Sequence, residues 1–528
     1  MMPKNWKQAI LKTRLLLAAM VAVASLTATA HAAAPGITGP SFALTAGDAY
    51  ITQPDGQAIY SWGYGCNGAP SGYAPAKITN GFCNPMQVPG PTLIVTEGAT
   101  VSVTLTNNLP AAAGNTSILF PGFNVATSGG VAGLLTQEAA HAGTVTYTFT
   151  ASTPGTHSYY SGTQGDLQIE MGLYGALIVL PNAVPASCTS GLAATNLLAQ
   201  GVWGEKDFRL ADSAYDNPKT CYDREYLFQF SEIDPRIHIQ AQEQVATLGG
   251  CTAGATGCSL QVATEPYHPA YFLVNGRSMP DDMDPNYAYQ YPHQPYNGNP
   301  HLHPGEQVLL RIIGQGRWQH PFHEHANHVR ILARDGNLIL TPDGAALAGP
   351  ALFTTTTTPG VTMDGLFYFT GRGLNWDMYG HNPTSSDANA TLGCAPDANG
   401  YNTGGTAYTQ INYFEWCQDH NKPLQAAPVG DVAGGGPMSL PDPNIFVNGA
   451  WYGGSPYLGP DATVRAVGAS GTTPPSGTIA NSPGGEAGFA FMWHSHNERE
   501  ITTNNAFPGG MMMMMLVDSR EFVIDESN

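Results

Sequence analysis

Short apolar runs bounded by turn residues recur along most of this chain of 528 residues. In the stretch 91–109, PTLIVTEGATVSVTLTNNL, apolar and polar residues alternate from Val101 to Leu105, which is the period of a strand with one buried face. Further strands are predicted at 143–149, 172–180, 226–230, 271–274, 308–313 and 329–332. Because no long stretch has helical periodicity, the pattern predicts an all-β chain of Greek-key sandwiches.

The N-terminus has the pattern of a signal peptide. Four basic residues precede an apolar run from Leu15 to Leu26, and small residues with an A-x-A cleavage site follow. This predicts a signal peptide at residues 1–32 and a secreted protein, periplasmic or extracellular. No later apolar run is long enough to cross a bilayer, so no membrane span is expected.

The chain has eight cysteines, and an even number in an exported chain predicts disulfide bonds. Since none lies in a C-x-x-C pair, a thiolate metal cage is not expected. The simplest pairing joins neighbours along the chain: Cys66 with Cys83, Cys188 with Cys221, Cys251 with Cys258 and Cys394 with Cys417.

The composition and charge of the chain limit the classes of partner that it is expected to bind. The formal net charge of −19 disfavours nucleic acid and anionic membranes, because phosphates are repelled by an acidic surface. Gly (62) and Pro (41) are abundant and only 11% of residues are charged. This balance favours short strands joined by turns, and we expect no nucleic-acid partner.

Two groups of histidines are spaced like metal ligands. One is the run HPFHEH at 320–325, and the other is HSH at 494–496. Residues i and i+2 of a strand face the same side, so each H-x-H can aim two imidazoles at one point. Two such pairs from different strands can supply four nitrogen ligands, which suit copper, zinc or iron.

These stretches resemble the multicopper oxidase family. Residues 89–110 are similar to the opening of the first cupredoxin domain of that family, and residues 154–181 resemble the end of the same domain. The run HPFHEH looks like the family's H-P-x-H-L-H motif. The run HSH, followed by Gly510 and Met511, looks like its H-C-H…G-M motif.

The resemblance implies two or three fused cupredoxin-like sandwiches: domain 1 at 33–182, domain 2 at 190–350, and domain 3 at 351–528 with long Gly-, Pro- and Asn-rich insertions. In this family a blue copper takes an electron from the substrate and passes it to a trinuclear copper cluster that reduces oxygen. By position His320 would match a blue-copper ligand, and the residues matching trinuclear ligands would be His323, His325, His494 and His496.

The first domain departs from the family pattern. Where the family has T-S-I-H-W-H-G, this chain has Leu119 and Pro121 in place of the histidines. Where the family has G-T-x-W-Y-H-S-H, this chain has Tyr160 and Gly162. His157 lies nearby, but its odd offset points it to the opposite face of a strand. All four first-domain ligands are therefore missing.

The blue-copper motif also departs from the family. Ser495 occupies the cysteine position, and a hydroxyl cannot replace the thiolate on which such a site depends. Glu500 stands where the family has a further histidine. It either adds an oxygen ligand to the remaining histidines, or forms a solvated or internally paired polar patch with Glu498 and Arg499. Standard laccase chemistry is not expected.

Two further motifs lie near these clusters. The methionine run 511–515 is predicted to form a core strand, and one of its thioethers would suit copper. His301-Leu302-His303 precedes a Pro-Gly turn and is predicted to be a surface feature.

We therefore expect a metal site built from His320, His323, His325, His494, His496 and Glu500. Copper is the expected metal, with manganese, iron or zinc as alternatives. A small reducing substrate and oxygen are the partners of any oxidase reaction that remains, and no catalytic residue is assigned. The expected function is a divergent oxidoreductase, a non-catalytic copper store or carrier, or an envelope structural protein with the oxidase fold.

Overall fold

The computed structural model confirms the all-β class. The residues that it describes are 34–75, 78, 80–188, 212–372, 396–402, 416, 454–458, 479–480, 488–518 and 524. The predicted signal peptide at 1–32 and the predicted Cys394–Cys417 bond lie outside these residues. The other three predicted disulfides are confirmed: Cys66–Cys83, Cys188–Cys221 and Cys251–Cys258.

The first part of the chain forms a sandwich of strands β1 to β12. Their bounds are Gly36–Thr38, Ser41–Thr52, Ala58–Cys66, Tyr73–Ala74, Leu93–Thr96, Thr100–Asn107, Ala126–Gly129, Val131–Ala132, Gln137–Glu138, Thr144–Thr150, Gly155–Tyr160 and Tyr174–Leu180. Sheet A has the order β11-β12-β5-β1-β4, sheet B has the order β3-β2-β6-β10-β7, and β8 pairs with β9. A 3₁₀ helix at Ala111–Ala113 and helix α1 at Gly165–Gln168 complete these elements.

The core of this first sandwich follows the predicted alternation. Val101, Val103 and Leu105 of β6 are fully buried, whereas Ser102 and Thr104 between them are half-exposed. Antiparallel β10 places Tyr147 opposite Val103 and repeats the alternation. Apolar side chains from sheets A and B meet in one cluster, which confirms that these strands form a two-sheet sandwich.

The second part of the chain forms strands β13 to β28. Their bounds are Asp212–Ser213, Cys221–Tyr222, Arg224–Ile233, Tyr271–Val274, His301–Leu302, Gln307–Gly314, His320–Glu324, Val329–Arg334, Asn337–Leu338, Ala351–Leu352, Thr354–Thr357, Thr362–Tyr368, Gly454–Leu458, Ile479–Ala480, Gly488–Ser495 and Met512–Asp518. Sheet C has the order β16-β15-β18-β24-β20-β21, with β22 beside β20. Sheet D has the order β17-β28-β27-β19-β23, with β25 beside β27 and β26 beside β25, while β13 pairs with β14. Two 3₁₀ helices span Asp281–Met283 and Glu498–Ile501.

Sheets C and D enclose the second core. Phe228 of sheet C packs against Phe322 and Trp493 of sheet D, with ring centroids 5.9 Å and 6.4 Å away. Met513 and Met515 are fully buried in the same cluster, which confirms that the methionine run is a core strand. Described strands from both predicted ranges, 190–350 and 351–528, contribute to both sheets. The boundary between those two domains stays a prediction.

Helix α2, at Pro235–Leu248, was not predicted. The Asp234 side chain accepts a hydrogen bond from the Arg236 backbone N–H, and Pro235 lies at the first helical position. Ile237 and Ala241, four residues apart, pack against the core of the first sandwich. The Asp-Pro start was the available signal, but one apolar residue per turn is too weak a stripe to stand out in a β-rich chain. No described helix is long and apolar enough to span a membrane.

The prediction that His301-Leu302-His303 is a surface feature is wrong. Leu302 and His303 are fully buried, and β17 pairs in parallel with β28. His301 Nδ1 lies 2.6 Å from Asp518 Oδ2, and His303 Nδ1 lies 3.0 Å from the Asp518 carbonyl oxygen. The cause is long-range strand pairing, which a local turn signal cannot reveal.

We predict that Phe322→Ala strongly destabilises the second sandwich. Phe322 is fully buried and its ring contacts three aromatic rings of the core. Its removal leaves a cavity and should lower the free energy of unfolding by about 3–5 kcal/mol, measured by urea denaturation. The control Val131→Ala, at an exposed position, should change it by less than about 0.5 kcal/mol. Equal effects of the two substitutions would contradict this description of the core.

Candidate metal centre

Four predicted histidines meet on one face of sheet D. Strand β19 pairs antiparallel with β27, and His323 lies directly opposite His494. Because side chains alternate along a strand, His325 and His496 extend from the same face two residues further along each chain. The inference that each H-x-H aims both rings to one side is consistent with this pairing.

The four imidazoles lie in mutual contact. The ring centroid of His323 is 4.8 Å from that of His325, 5.5 Å from that of His494 and 4.9 Å from that of His496. The rings of His325 and His494 are 5.0 Å apart, and those of His494 and His496 are 5.9 Å apart. Nitrogen donors from two strands are therefore concentrated in one small volume.

The hydrogen bonds indicate which nitrogens carry protons. His494 Nδ1 lies 2.7 Å from the carbonyl oxygen of Ser495 and must donate to it, which leaves a lone pair on Nε2. His325 Nε2 lies 3.0 Å from that nitrogen and therefore donates to it. Two nitrogens that share one tetrahedral ion at about 2.0–2.1 Å lie about 3.3 Å apart, so an ion could fit between them after a small movement, once the His325 proton has moved from Nε2 to Nδ1.

Burial favours the neutral form of these rings. Burial, and after it the neighbouring His494 and His496, lowers the pKa of His323 to about 4. Burial likewise lowers the pKa of His494. A neutral imidazole has the lone pair that a metal ion needs. His323 is almost fully buried whereas His496 is exposed, so the cluster reaches solvent at His496.

Neighbouring groups hold the rings in place. The Thr354 hydroxyl of β23 lies 2.7 Å from His323 Nδ1, and the indole N–H of Trp493 donates to the His325 carbonyl oxygen over 3.0 Å. Such partners fix the orientation and tautomer of metal-binding histidines. Thr354 was not identified in the sequence, because its strand is brought beside β19 only by the sheet.

The cluster is not already arranged as a metal site. Among the described residues, no three His, Cys, Asp or Glu side chains are grouped so that they could hold an ion. The donor set nevertheless fits a copper, zinc or iron ion, since four imidazole groups lie close together. Binding requires the rings to turn from their mutual hydrogen bond toward one point.

His320 and Glu500 lie on the opposite face of β19 and β27, with Ser495. His320 Nδ1 is 2.9 Å from Glu500 Oε2, and its Nε2 is 2.9 Å from Glu232 Oε2. Ser495 donates its hydroxyl hydrogen to the same Glu500 oxygen. The backbone turns into a 3₁₀ helix after Asn497, and this turn carries Glu500 to the core side of the sheet. The structure thus separates the six predicted ligands into a group of four and a group of two.

The second group forms a buried charge cluster. Burial alone would lower the pKa of His320, but hydrogen bonds and charges from Glu232 and Glu500 raise it to about 9. His320 is therefore an imidazolium at neutral pH, held between two carboxylates. Both of its nitrogens are engaged, so neither has a lone pair directed at a metal ion. The pairing satisfies charges that would be costly to bury alone.

Glu232 connects this charge cluster to the first sandwich. Its Oε1 accepts hydrogen bonds from the backbone N–H groups of Arg317 and Trp318 and from the Tyr267 hydroxyl. The Tyr267 hydroxyl also lies 2.7 Å from Oε2 of Glu170 in the first sandwich. Sequence reasoning did not identify Glu170, Glu232 or Tyr267, because nothing local marks them as neighbours of His320.

A close contact between Gly510 and the backbone of Glu500 fixes the turn that carries Glu500. Gly510 has φ of 64°, and a Cβ atom there would lie 2.1 Å from the Glu500 carbonyl oxygen. Only glycine accepts both this backbone conformation and this proximity. The Gly510 that suggested the family motif is therefore required by packing of the 3₁₀ helix against the start of β28.

The first sandwich supplies apolar groups where the family has ligands. Leu119 and Tyr160 form an isolated antiparallel β-bridge. A Cβ atom on Gly162 would lie 2.8 Å from the Leu119 side chain. His157 is buried elsewhere, with Nε2 2.9 Å from the Thr153 carbonyl oxygen and its ring 4.6 Å from that of Phe123. None of these described positions offers a nitrogen to the four-histidine cluster.

Comparisons with known proteins find similarity to multicopper oxidases. The family model described as multicopper oxidase matches residues 76–184. The chain is 15% identical to the solved multicopper oxidase mgLAC, covering 92% of this chain and 87% of that one at a TM-score of 0.44. It is 15% identical to the blue copper oxidase from Nitrosomonas europaea, covering 90% and 85% at a TM-score of 0.43. No curated protein is found to match the sequence.

We predict that His320 makes stability depend on pH. Its folded pKa of about 9 exceeds the ordinary value of 6.5, so its stabilisation is complete below pH 6.5 and is lost as pH rises through 9. The free energy of unfolding of the wild type, relative to His320→Gln, should fall by about 3 kcal/mol across this range, measured by urea denaturation.

The matched control is His268→Gln, which removes an exposed imidazole. Its difference from the wild type should stay constant over the same pH range. A constant difference for His320→Gln as well would contradict a buried imidazolium between Glu232 and Glu500.

Proposed function

Because this chain belongs to the multicopper oxidase family, matched through residues 76–184, we propose that it is a secreted copper-binding protein. The ion is held by four imidazoles, those of His323, His325, His494 and His496. The main support for this proposal is that these four rings lie close together on one face of sheet D. Three disulfides support an oxidising compartment, periplasmic or extracellular.

The chain's own residues prepare the ligands. Thr354 orients His323, and the Ser495 carbonyl oxygen keeps the proton of His494 on Nδ1, so that Nε2 can bind. To bind through Nε2, His325 would carry its single ring proton on Nδ1, because in the absence of an ion its Nε2 donates to His494. A bound copper ion supplies one-electron redox chemistry at these nitrogens.

Neither copper centre of the family is complete in this chain. The blue-copper position has Ser495 in place of a thiolate, and Glu500 and His320 are bonded to each other there. The trinuclear position lacks first-sandwich nitrogens. We therefore propose a single histidine-only site, for which manganese, iron or zinc are the alternative metals to be distinguished by experiment.

A divergent oxidoreductase is the second candidate function. It is favoured by the exposure of His496, which gives a small reducing substrate and oxygen access to one edge of the cluster. Copper-loaded protein that consumes oxygen with phenols, Cu(I), Fe(II) or Mn(II) would support turnover. Copper that stays bound without oxygen consumption would indicate a store or carrier, and absence of any metal would indicate a structural protein.

We predict that His323→Ala and His494→Ala each abolish tight copper binding. Loss of a ligand should weaken affinity by more than about 100-fold, since even second-shell partners contribute about 10- to 100-fold. Elemental analysis should give a single copper ion per wild-type chain, and electron paramagnetic resonance should show imidazole nitrogen couplings. Thr354→Val should weaken binding by about tenfold through its bond to His323.

The control is His268→Ala, at an exposed position, which should bind copper like the wild type. Circular dichroism should show that all four variants fold. The proposal fails if His323→Ala and His494→Ala retain the wild-type copper content and spectrum.

We also predict that Ser495→Cys alone does not create a blue-copper site. His320 would still be held between two carboxylates, and Glu500 would still occupy the position beside residue 495. Copper-loaded Ser495→Cys should therefore lack intense thiolate-to-copper charge-transfer absorption. Appearance of that absorption would show that the carboxylates are readily displaced.

A further inference from the structure

A large cavity lies between two loops, and none of the four clustered histidines lines it. It has a volume of about 780 Å³ and is lined by residues of the 78–84 segment and of the 285–292 segment. None of its described lining side chains carries a charge. The aromatic and amide side chains of this lining include Phe82, Asn84, Asn286, Tyr287, Tyr289 and Gln290.

The walls of this cleft are tied together. Asn84 donates from Nδ2 to the Pro292 carbonyl oxygen over 2.7 Å, which joins one wall to the other. The Cys66–Cys83 disulfide anchors the first wall beside Asn84. Tyr287 in the second wall has φ of 56°, a left-handed conformation that a bulky residue adopts only when its surroundings enforce it. The cleft is therefore preformed, as ligand sites usually are.

The cleft has one exposed tyrosine ring and one buried tyrosine ring. Tyr289 is 92% exposed, so its ring has almost no protein partner. Tyr287 is buried, and its ring centroid lies 5.4 Å from that of Phe82 in an edge-on arrangement. An exposed tyrosine ring offers a large, rigid and amphipathic contact surface at low cost in conformational entropy.

Polar groups in the cleft can both donate and accept hydrogen bonds. Asn286 accepts from the Asn297 backbone N–H through Oδ1, and its amide NH₂ group provides further donors. The Tyr287 hydroxyl is buried without a hydrogen bond of normal geometry to a described residue. Burial and, after it, the neighbouring Tyr296 phenol raise the pKa of Tyr287, so this hydroxyl stays neutral.

We propose that this cleft binds a neutral carbohydrate. A sugar ring has a C–H face that packs on an aromatic ring such as that of Tyr289, and its hydroxyls match amide donors and acceptors such as those of Asn286. Asp284 lies behind the second wall, where it accepts hydrogen bonds from Gln290 and Tyr291. With no lining cation and a net charge of −19, anionic sugars are disfavoured.

This inference does not depend on the proposed copper site. Carbohydrate binding would hold the protein on a glycan surface outside the cell, whether or not the four histidines of sheet D bind a metal ion. Either proposal can fail while the other stands, because carbohydrate binding is measured without metal.

The test is affinity gel electrophoresis of the full chain in gels containing hydroxyethylcellulose, mixed-linkage β-glucan or amylopectin, with alginate as the anionic comparison. At least one neutral polysaccharide should retard the wild type. Tyr289→Ala should raise the dissociation constant by about tenfold through loss of the ring contact. Tyr289→Phe, which keeps the ring, should be retarded like the wild type.

The matched control is Tyr368→Ala, since Tyr368 is 52% exposed and lies on β24 outside the cleft. It should migrate like the wild type. Thermal unfolding of Tyr289→Ala should be unchanged, because the ring packs against almost nothing.

Three results would overturn the proposal. The first is no retardation in any neutral gel, and the second is equal retardation of the wild type and Tyr289→Ala. The third is a concentration-dependent dimer on gel filtration that Tyr289→Ala abolishes, which would make the face a contact between copies of this chain.

Discussion

The antiparallel pairing of β19 with β27 is the constraint on which the site depends. It joins segments far apart in the chain, since His325 and His494 are separated by 169 residues. The register places His323 opposite His494 and Phe322 opposite Ser495. A shift of one residue would exchange the two faces and bury the imidazoles in the apolar core. Packing of Phe322 and Trp493 opposes that shift, so the core of the second sandwich holds the four histidines in register.

The same strand pairing places two groups of ionisable side chains on opposite faces of sheet D. One face has the four imidazoles, and burial, followed by neighbouring imidazoles, lowers the pKa of His323 and of His494. The other face has an imidazolium between two carboxylates, His320 with Glu232 and Glu500. On that face the protonated His320 side chain supplies the positive charge, and the two carboxylates balance it.

The four-histidine cluster is confined to sheet D. In the first sandwich, Leu119 forms a backbone bridge with Tyr160 and packs beside Gly162, so these positions contribute packing rather than nitrogen donors. The amide- and aromatic-lined cleft lies where residues 80–84 meet residues 285–292. The proposed carbohydrate cleft is built on loops and the proposed metal site on strands, so each can differ independently of the other.

The sequence by itself determined the all-β class, several strands, three disulfide pairs and the two histidine pairs, because alternation, cysteine count and i, i+2 spacing are local properties. It missed helix α2, whose apolar stripe is narrow, and it misassigned His303, whose burial comes from pairing of β17 with β28. Only the tertiary structure decided that Glu500 joins His320 rather than the other histidines. That outcome depends on a turn after Asn497 and on Glu232 from another sheet. Contacts between residues that are far apart in the chain cannot be predicted from the residues next to them in the sequence.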